Sequence, residues 1–252
     1  MTQDTFISHL IELRDRMLRS MLALVIVFLC LFPWAKDLYT LLAQPLLAVL
    51  PKGGQMIATD VVGVFLVPLK VTALVAVMVT MPYLLYQMWA FVAPGLYAHE
   101  RRLVLPLVFT SSVLFLAGMS FAYFVVFPLA FRVLASFAPD GVAWMTDIDK
   151  YFSFVLGMFV VFGVTFEIPV AVVLLVRMGV VKVEQLVEAR PYVIVGAFVV
   201  AAVLTPPDVI SQLLLAFPLW LLYEMGIIAA RMIGKAAVAE EASAATDAAS
   251  KD

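Results

Sequence analysis

The chain has 252 residues, of which 65% are hydrophobic and 13% charged, and its mean hydropathy is +1.08. A soluble globular domain is about 45–50% apolar and about 25% charged, so the composition excludes a water-soluble fold and points to an integral membrane protein. The net charge of −2 argues against a basic nucleic-acid binder, the single Cys30 excludes a disulfide framework or a cysteine zinc site, and two histidines, His9 and His99, leave little for metal chemistry.

A helix needs roughly 20 apolar residues to cross the ~30 Å hydrocarbon core. Runs between charges predict six spans, at about 20–35, 71–93, 103–128, 151–176, 191–207 and 209–230. The first has a basic flank, but no small-x-small cleavage site follows Trp34, so it is expected to be retained. From Lys36 to about Pro68 the chain is external. Pro45, Pro51 and Pro68 forbid one continuous helix there, and apolar Leu38 to Leu50 fits a short helix lying on the interface. The loop from Ala93 to Arg102 opens on a Pro-Gly turn, and the loop from about Arg132 to Lys150 is mildly acidic. Pro169 is expected to kink the fourth span. The fifth run, Pro191 to Pro207, has only 17 residues, and the sixth is interrupted at Glu224, so the last two spans are short and should thin the bilayer locally. An even number of spans puts both termini on one side. That side holds 11 of the 16 Lys and Arg, so the termini should be cytoplasmic. The expected architecture is an all-α membrane domain over 1–233, in a concave helical arrangement, followed by a disordered cytoplasmic tail over 234–252.

Glu167 lies ten residues before Arg177, about 15 Å along a helix and near the midplane. An ionisable group at that depth costs a few kcal/mol or more, about 2.5–3.5 by insertion scales. It is read either as a polar contact for a partner or proton-linked switch, or as an internal hydrogen bond between helices. Glu12 and Glu100 are two carboxylates expected on the cytoplasmic side. They suit guanidinium groups, which pair bidentately with carboxylates; equally, each can pair with its own neighbours, Arg14 or Arg101 and Arg102. Thr205-Pro206-Pro207-Asp208 forms a tight turn in which Thr205 and Asp208 can cap the next helix. Gln87, Gln212 and Glu224 can hydrogen-bond a helix within lipid.

His99-Glu100-Arg101-Arg102-Leu103 lacks the second histidine of a zinc protease helix. Gly234-Lys235 is followed by Ala236, so no phosphate-binding loop is present. Both histidines are expected on the cytoplasmic side, which leaves none for a Ser-His pair inside the membrane. Neither an enzyme activity nor a cofactor or metal is expected.

Several long strings carry a resemblance. They are Ser8-His9-Leu10-Ile11-Glu12-Leu13-Arg14, Met56-Ile57-Ala58-Thr59-Asp60 and Ala93-Pro94-Gly95-Leu96-Tyr97-Ala98-His99-Glu100-Arg101-Arg102. Further on come Phe121-Ala122-Tyr123-Phe124, Phe162-Gly163-Val164-Thr165-Phe166-Glu167-Ile168-Pro169, Arg190-Pro191-Tyr192 and Leu204-Thr205-Pro206-Pro207-Asp208. From about Phe6 to Ile233 the chain closely resembles the TatC family, the multi-span receptor subunits of the twin-arginine (Sec-independent) protein translocase. The resemblance implies six spans with both termini inside, in the cytoplasmic (inner) membrane of a bacterium. It implies binding of twin-arginine signal peptides of folded precursors, recruitment of single-span TatA- and TatB-like subunits, assembly with further copies of the chain, and export driven by the proton-motive force.

The same resemblance assigns Glu12 and Glu100 to twin-arginine recognition, with Arg14, Phe91, Pro94, Tyr97, Arg101 and Arg102 shaping the site. Glu167 matches the membrane-embedded acid of the fourth span. Thr205 and Gln212 fall on the surface for single-span partners, and Pro45, Tyr123 and Asp208 on other functional or structural positions. Ala202 departs from relatives that carry a larger side chain there, and the acidic tail matches no required motif. Two rival readings are a proton-coupled transporter built on Glu167, which predicts internal repeats and a midplane pocket, and a ligand-free scaffold, which predicts tolerance at Glu12 and Glu100. No internal repeat is seen in the sequence.

Overall fold

A computed structural model describes residues 3–48, 56–92, 104–136, 145–204 and 209–249. The chain divides into two compact units, Met1–Gly163 and Val164–Asp252. Among the described residues, five helical segments are long and apolar enough to cross a membrane, and Arg190–Leu204 is a shorter apolar helix.

The first unit begins with α1 (Gln3–Leu31), which passes through a 3-10 turn at Phe32–Trp34 into α2 (Ala35–Leu47). The helix predicted over Leu38 to Leu50 is α2, and Pro45 lies inside it. Next come α3 (Gly63–Val92) and α4 (Val104–Phe121), then a π-helical segment, Ala122–Val126, and α5 (Phe127–Ser136). The fourth span starts as α6 (Ile148–Phe166). Helix α1 packs along α3, α3 along α4, and α2 against α3 and α5.

Most of α1 turns its leucines and methionines outward: Met17, Leu18, Met21 and Leu22 are each about 60% exposed or more. In a soluble protein such a stripe would be an interaction patch or a liability; along a membrane span it is the surface that lipid or another helix covers. The core of this unit is aromatic. Phe127, Phe152 and Phe162 are fully buried, and Phe127 meets Phe159 edge to face at 5.1 Å. Gly163 leaves room for Phe115, whose ring a Cβ at that position would approach to 2.5 Å.

The architecture is all-α as expected, with one short strand pairing beside the helices. Two-residue strands β1 (Met56–Ile57) and β2 (Thr146–Asp147) pair in parallel, Met56 opposite Thr146 and Ile57 opposite Asp147. Side chains extend this tie. The Thr59 hydroxyl donates to Asp147 Oδ2, the Thr59 amide donates to the same oxygen at 3.1 Å, and the amides of Asp149 and Lys150 donate to Asp147 Oδ1 at 2.9 and 3.1 Å. Asp147 thereby caps α6 and ties it to the segment before α3. Lys70 Nζ meets Asp149 Oδ1 at 2.6 Å, a second link between α3 and α6.

The Thr59 hydroxyl bond, with the backbone amides behind it, lowers the Asp147 carboxyl from its ordinary 3.8 to about 2. A carboxyl depressed in the folded state contributes stability above its unfolded pKa and loses it as the pH falls through the folded one. The Asp147→Asn variant should therefore melt below the parent in detergent at pH 7, and the gap should close between pH 3.8 and about 2. Melting curves of both proteins across that range check this; a gap as wide at pH 2 as at pH 7 overturns it.

The second unit holds the end of α6, α7 (Ile168–Arg177), α8 (Val183–Glu188), α9 (Arg190–Leu204) and α10 (Val209–Ala249). The predicted kink in the fourth span is a break at Glu167, one residue long, between α6 and α7. Its cause is local: Pro169 has no amide for the Thr165 carbonyl. The turn tightens, with the Glu167 amide donating to Val164 O at 3.1 Å before the Ala171 amide resumes the helical pattern to Glu167 O at 2.9 Å. Gly179, at φ 69°, terminates α7 in the left-handed conformation that glycine accepts without strain.

Helices α7 and α10 pack through Val172, Tyr223, Ile227 and Ala230, with Leu186 of α8 joining them. The Tyr223 hydroxyl donates to Leu186 O at 2.8 Å. Gly226 permits close approach: a Cβ there would lie 3.1 Å from Pro169 Cα. Arg190 Nη2 donates to Glu224 Oε2 at 2.6 Å, joining the start of α9 to α10. This pairing explains why Glu224 does not end the sixth span, which continues over Gln212–Met232. The helix then runs on to Ala249, where the sequence reading placed a disordered tail; the run is rich in alanine and glutamate, both strong helix formers.

Candidate functional site

Glu12 sits on α1 in a sequence whose polar side recurs at helical spacing. Arg16 is one turn further on, and a Glu N-terminal to a cation at i,i+4 is the favoured order for an intrahelical pair. Arg16 Nη2 donates to Glu12 Oε1 at 2.6 Å and Arg16 Nε donates to the same oxygen at 2.9 Å. The third arm of the guanidinium crosses to α3, where Nη1 donates to Gln87 Oε1 at 3.2 Å. Gln87 Nε2 in turn donates to the Tyr83 hydroxyl at 2.6 Å. One chain of hydrogen bonds thus links Glu12, Arg16, Gln87 and Tyr83 across the contact between α1 and α3.

The sequence reading offered Arg14 as the neighbour that would pair with Glu12. The structure assigns that role to Arg16 instead, because residues two apart on a helix do not face each other. The Arg14 side chain points out, 67% exposed, and bonds Asp15 at 2.8 Å. Phe91, on the last turn of α3, stacks on His9 of α1 with ring centroids 4.3 Å apart and planes 17° from parallel. Between the two helices runs a groove of about 710 Å³, walled by leucines and methionines such as Leu13, Met17, Met21, Leu84 and Met88, with Arg14, Arg16, Gln87 and Phe91 also on its lining. The site therefore offers a carboxylate with an arginine already on it, beside an apolar channel that an extended or helical hydrophobic segment can fill.

Arg14 and Phe91 line this groove, whereas Glu12 reaches its edge through Arg16. Pro94, Tyr97, Glu100, Arg101 and Arg102 lie outside the described residues, as do Thr205 and Asp208. In the second unit, Glu167 stands at the break between α6 and α7 with both carboxylate oxygens buried, and Gln212 lies on α10, half-buried. In the first unit Pro45 lies inside α2, and the Tyr123 hydroxyl reaches the same helix, donating to Leu41 O at 2.9 Å. The sequence reading missed His9 and Arg16 as site members. The i,i+4 spacing from Glu12 to Arg16 was the available signal; the contacts across to α3 left none. Among the described residues, no cluster of three or more His, Cys, Asp or Glu is placed to hold a metal ion.

Residues 8–218 match the family model described as TatC, Sec-independent protein translocase protein. The chain belongs to the TatC family. It is 55% identical over 236 residues to the Sec-independent protein translocase protein TatC of Escherichia coli (strain K12), covering 93% of this chain and 92% of that one. It is also 55% identical over 221 residues to the protein of the same description from Azotobacter chroococcum mcd 1, covering 88% and 87%. A crystal structure of the twin-arginine translocase receptor TatC superposes with a TM-score of 0.81 at 38% identity, covering 89% of this chain and 98% of that one. Membership of the TatC family makes this chain a transport component of a membrane translocase rather than an enzyme.

Proposed function

We propose that this chain is the signal-peptide receptor of a twin-arginine translocase. In this reading it lies in the cytoplasmic (inner) membrane of a bacterium with both termini inside, recognises paired arginines through Glu12 and Glu100, and engages single-span TatA- and TatB-like subunits and further copies of itself while the proton-motive force drives export of folded precursors. The observation that carries the reading is the Glu12–Arg16 pair at the edge of an apolar groove. A signal peptide of this class offers guanidinium groups followed by a hydrophobic stretch, which is the chemistry that a carboxylate beside an apolar channel accepts. The pair is half-buried, and an i,i+4 ion pair on a helix contributes only about 0.3–0.5 kcal/mol, so an incoming arginine displaces Arg16 at small cost.

The test is binding of a labelled twin-arginine peptide to the detergent-purified protein beside a twin-lysine control. Arginine presents a planar fork and lysine a single point charge, so the arginine peptide should bind roughly tenfold or more tightly. Equal affinity for the two, with and without a TatB-like subunit added, overturns the reading.

A further inference from the structure

Pro45 and Tyr123 stand 78 positions apart in the sequence and belong to different helical segments, yet they act on one carbonyl. Proline has no amide hydrogen, so in α2 the Leu41 carbonyl, four residues earlier, has no helical donor, and the proline ring also crowds it. In apolar surroundings an unmet carbonyl is costly, and a donor from elsewhere must be found. The Tyr123 hydroxyl supplies it at 2.9 Å. The neighbouring rung is modified too. The Tyr151 hydroxyl donates to Leu42 O at 2.9 Å, and the Leu46 amide lies against the same hydroxyl. A phenol therefore serves each of the two successive carbonyls, Leu41 and Leu42.

The route by which Tyr123 reaches α2 is equally specific. It lies within the π-helical segment Ala122–Val126, between α4 and α5. A π-turn inserts one extra residue into a helical turn and so rotates the side chains around it; such inserts cluster at functional positions. The Tyr123 ring is fixed against Phe124 and Phe127 and lies parallel to Phe159. On the other side of the bond, α2 is anchored by Leu42, Ala43 and Leu46, all buried.

We infer that Tyr123 is a positioning residue that replaces the amide Pro45 lacks, holding α2 in its helical form across Pro45 for transport. Pro45 creates the vacancy, the π-segment aims the phenol, and the two residues work as one unit. The consequence is an unusual epistasis. Tyr123→Phe leaves the Leu41 carbonyl unmet while Pro45 is present. In a Pro45→Ala chain the alanine amide meets that carbonyl, and the phenol has nothing left to do.

Transport of a folded twin-arginine reporter into membrane vesicles is measured for the parent, the two single variants and the double variant, each normalised to the amount of protein in the membrane. Tyr123→Phe should lower transport roughly fivefold, the loss of the one hydrogen bond that stands in for the amide Pro45 lacks. Pro45→Ala should lower it by removing the constraint that the proline ring places on α2, and the double variant should match Pro45→Ala alone. Reductions that multiply in the double variant overturn the inference, as does a Tyr123→Phe chain that transports like the parent. A second pair separates the hydrogen bond from ring packing: 4-aminophenylalanine at position 123 keeps a donor and should restore transport, whereas O-methyltyrosine keeps the oxygen without a donor and should not. If the donor-less chains fail to accumulate, accumulation itself is read across the same two residues. Equal behaviour of the two, by either readout, overturns the inference.

Discussion

Changing Glu12 and Glu100 together to alanine should weaken twin-arginine peptide binding by a hundredfold or more while the protein still folds. A hydrogen bond to a charged partner contributes about 1.5–3 kcal/mol, and two such sites amount to about 3–6 kcal/mol, with each 1.4 kcal/mol a factor of ten in Kd. The fold should tolerate the change. Glu12 is a partly exposed residue whose pair with Arg16 lies on one helix, and such pairs add only tenths of a kcal/mol to stability. Arg16 keeps its bond to Gln87 when Glu12 is lost, so the contact between α1 and α3 is retained.

The measurement is peptide titration of the purified double variant, with its melting curve alongside. Binding equal to the parent's would show that the arginines are read elsewhere. A companion variant sharpens the result. Arg16→Gln removes the guanidinium that occupies Glu12 and leaves the carboxylate in place. If the incoming arginine exchanges with Arg16, this variant should bind the peptide as tightly as the parent or a few-fold more tightly, roughly the worth of the pair it no longer has to break. A large loss would mean that Arg16 is needed for the site rather than in competition for it.

Much of the fold is legible in the sequence because a bilayer leaves few options. Backbone groups in hydrocarbon must be satisfied within helices or closed barrels, so apolar runs of sufficient length translate directly into spans. Their ends translate less well. Marking each run between charges begins the second predicted span after Lys70, whereas the helix that carries it, α3, begins at Gly63, with Lys70 paired to Asp149. It starts the first span at Ser20, although α1 reaches back past Glu12 and Arg16, which satisfy each other. Paired charges are invisible to a reading that treats every charge as a boundary.

Other features carry no local signature. Two residues at Met56–Ile57 and two at Thr146–Asp147 cannot announce a parallel pairing 90 positions apart. The π-segment at Ala122–Val126 has an ordinary composition, so a phenol aimed at Leu41 is evident only in three dimensions. The candidate site divides in the same way. The carboxylate, the aromatic residue and the polar neighbours of α1 stand in the sequence, but their meeting depends on how α1 lies against α3. Only the i,i+4 rule separates Arg16 from Arg14 as the partner of Glu12, and that rule was available from the start.

The second large effect is expected at Glu167. Replacing it with alanine should lower transport roughly tenfold or more while twin-arginine peptide binding stays within about twofold of the parent, the gap expected when a buried charged or hydrogen-bonded group is lost from a step that binding does not use. Glu167 is an ionisable side chain with its oxygens buried in a strongly apolar segment, and carrying it there costs a few kcal/mol. The chain bears that cost at the one break in the helical run Ile148–Arg177, next to Pro169 and beside the place where Gly226 lets α10 come close to α7. A carboxylate kept for packing alone would be better replaced by an apolar side chain of similar volume, which is often neutral or stabilising in a buried setting. Glu12 belongs to the first unit and Glu167 to the second, so the two substitutions should act on different steps. Peptide titration and vesicle transport on the same preparation decide the matter: a Glu167→Ala chain that transports as well as the parent removes any role for the carboxylate, and one that loses binding and transport in equal measure places it in recognition rather than in the movement that follows.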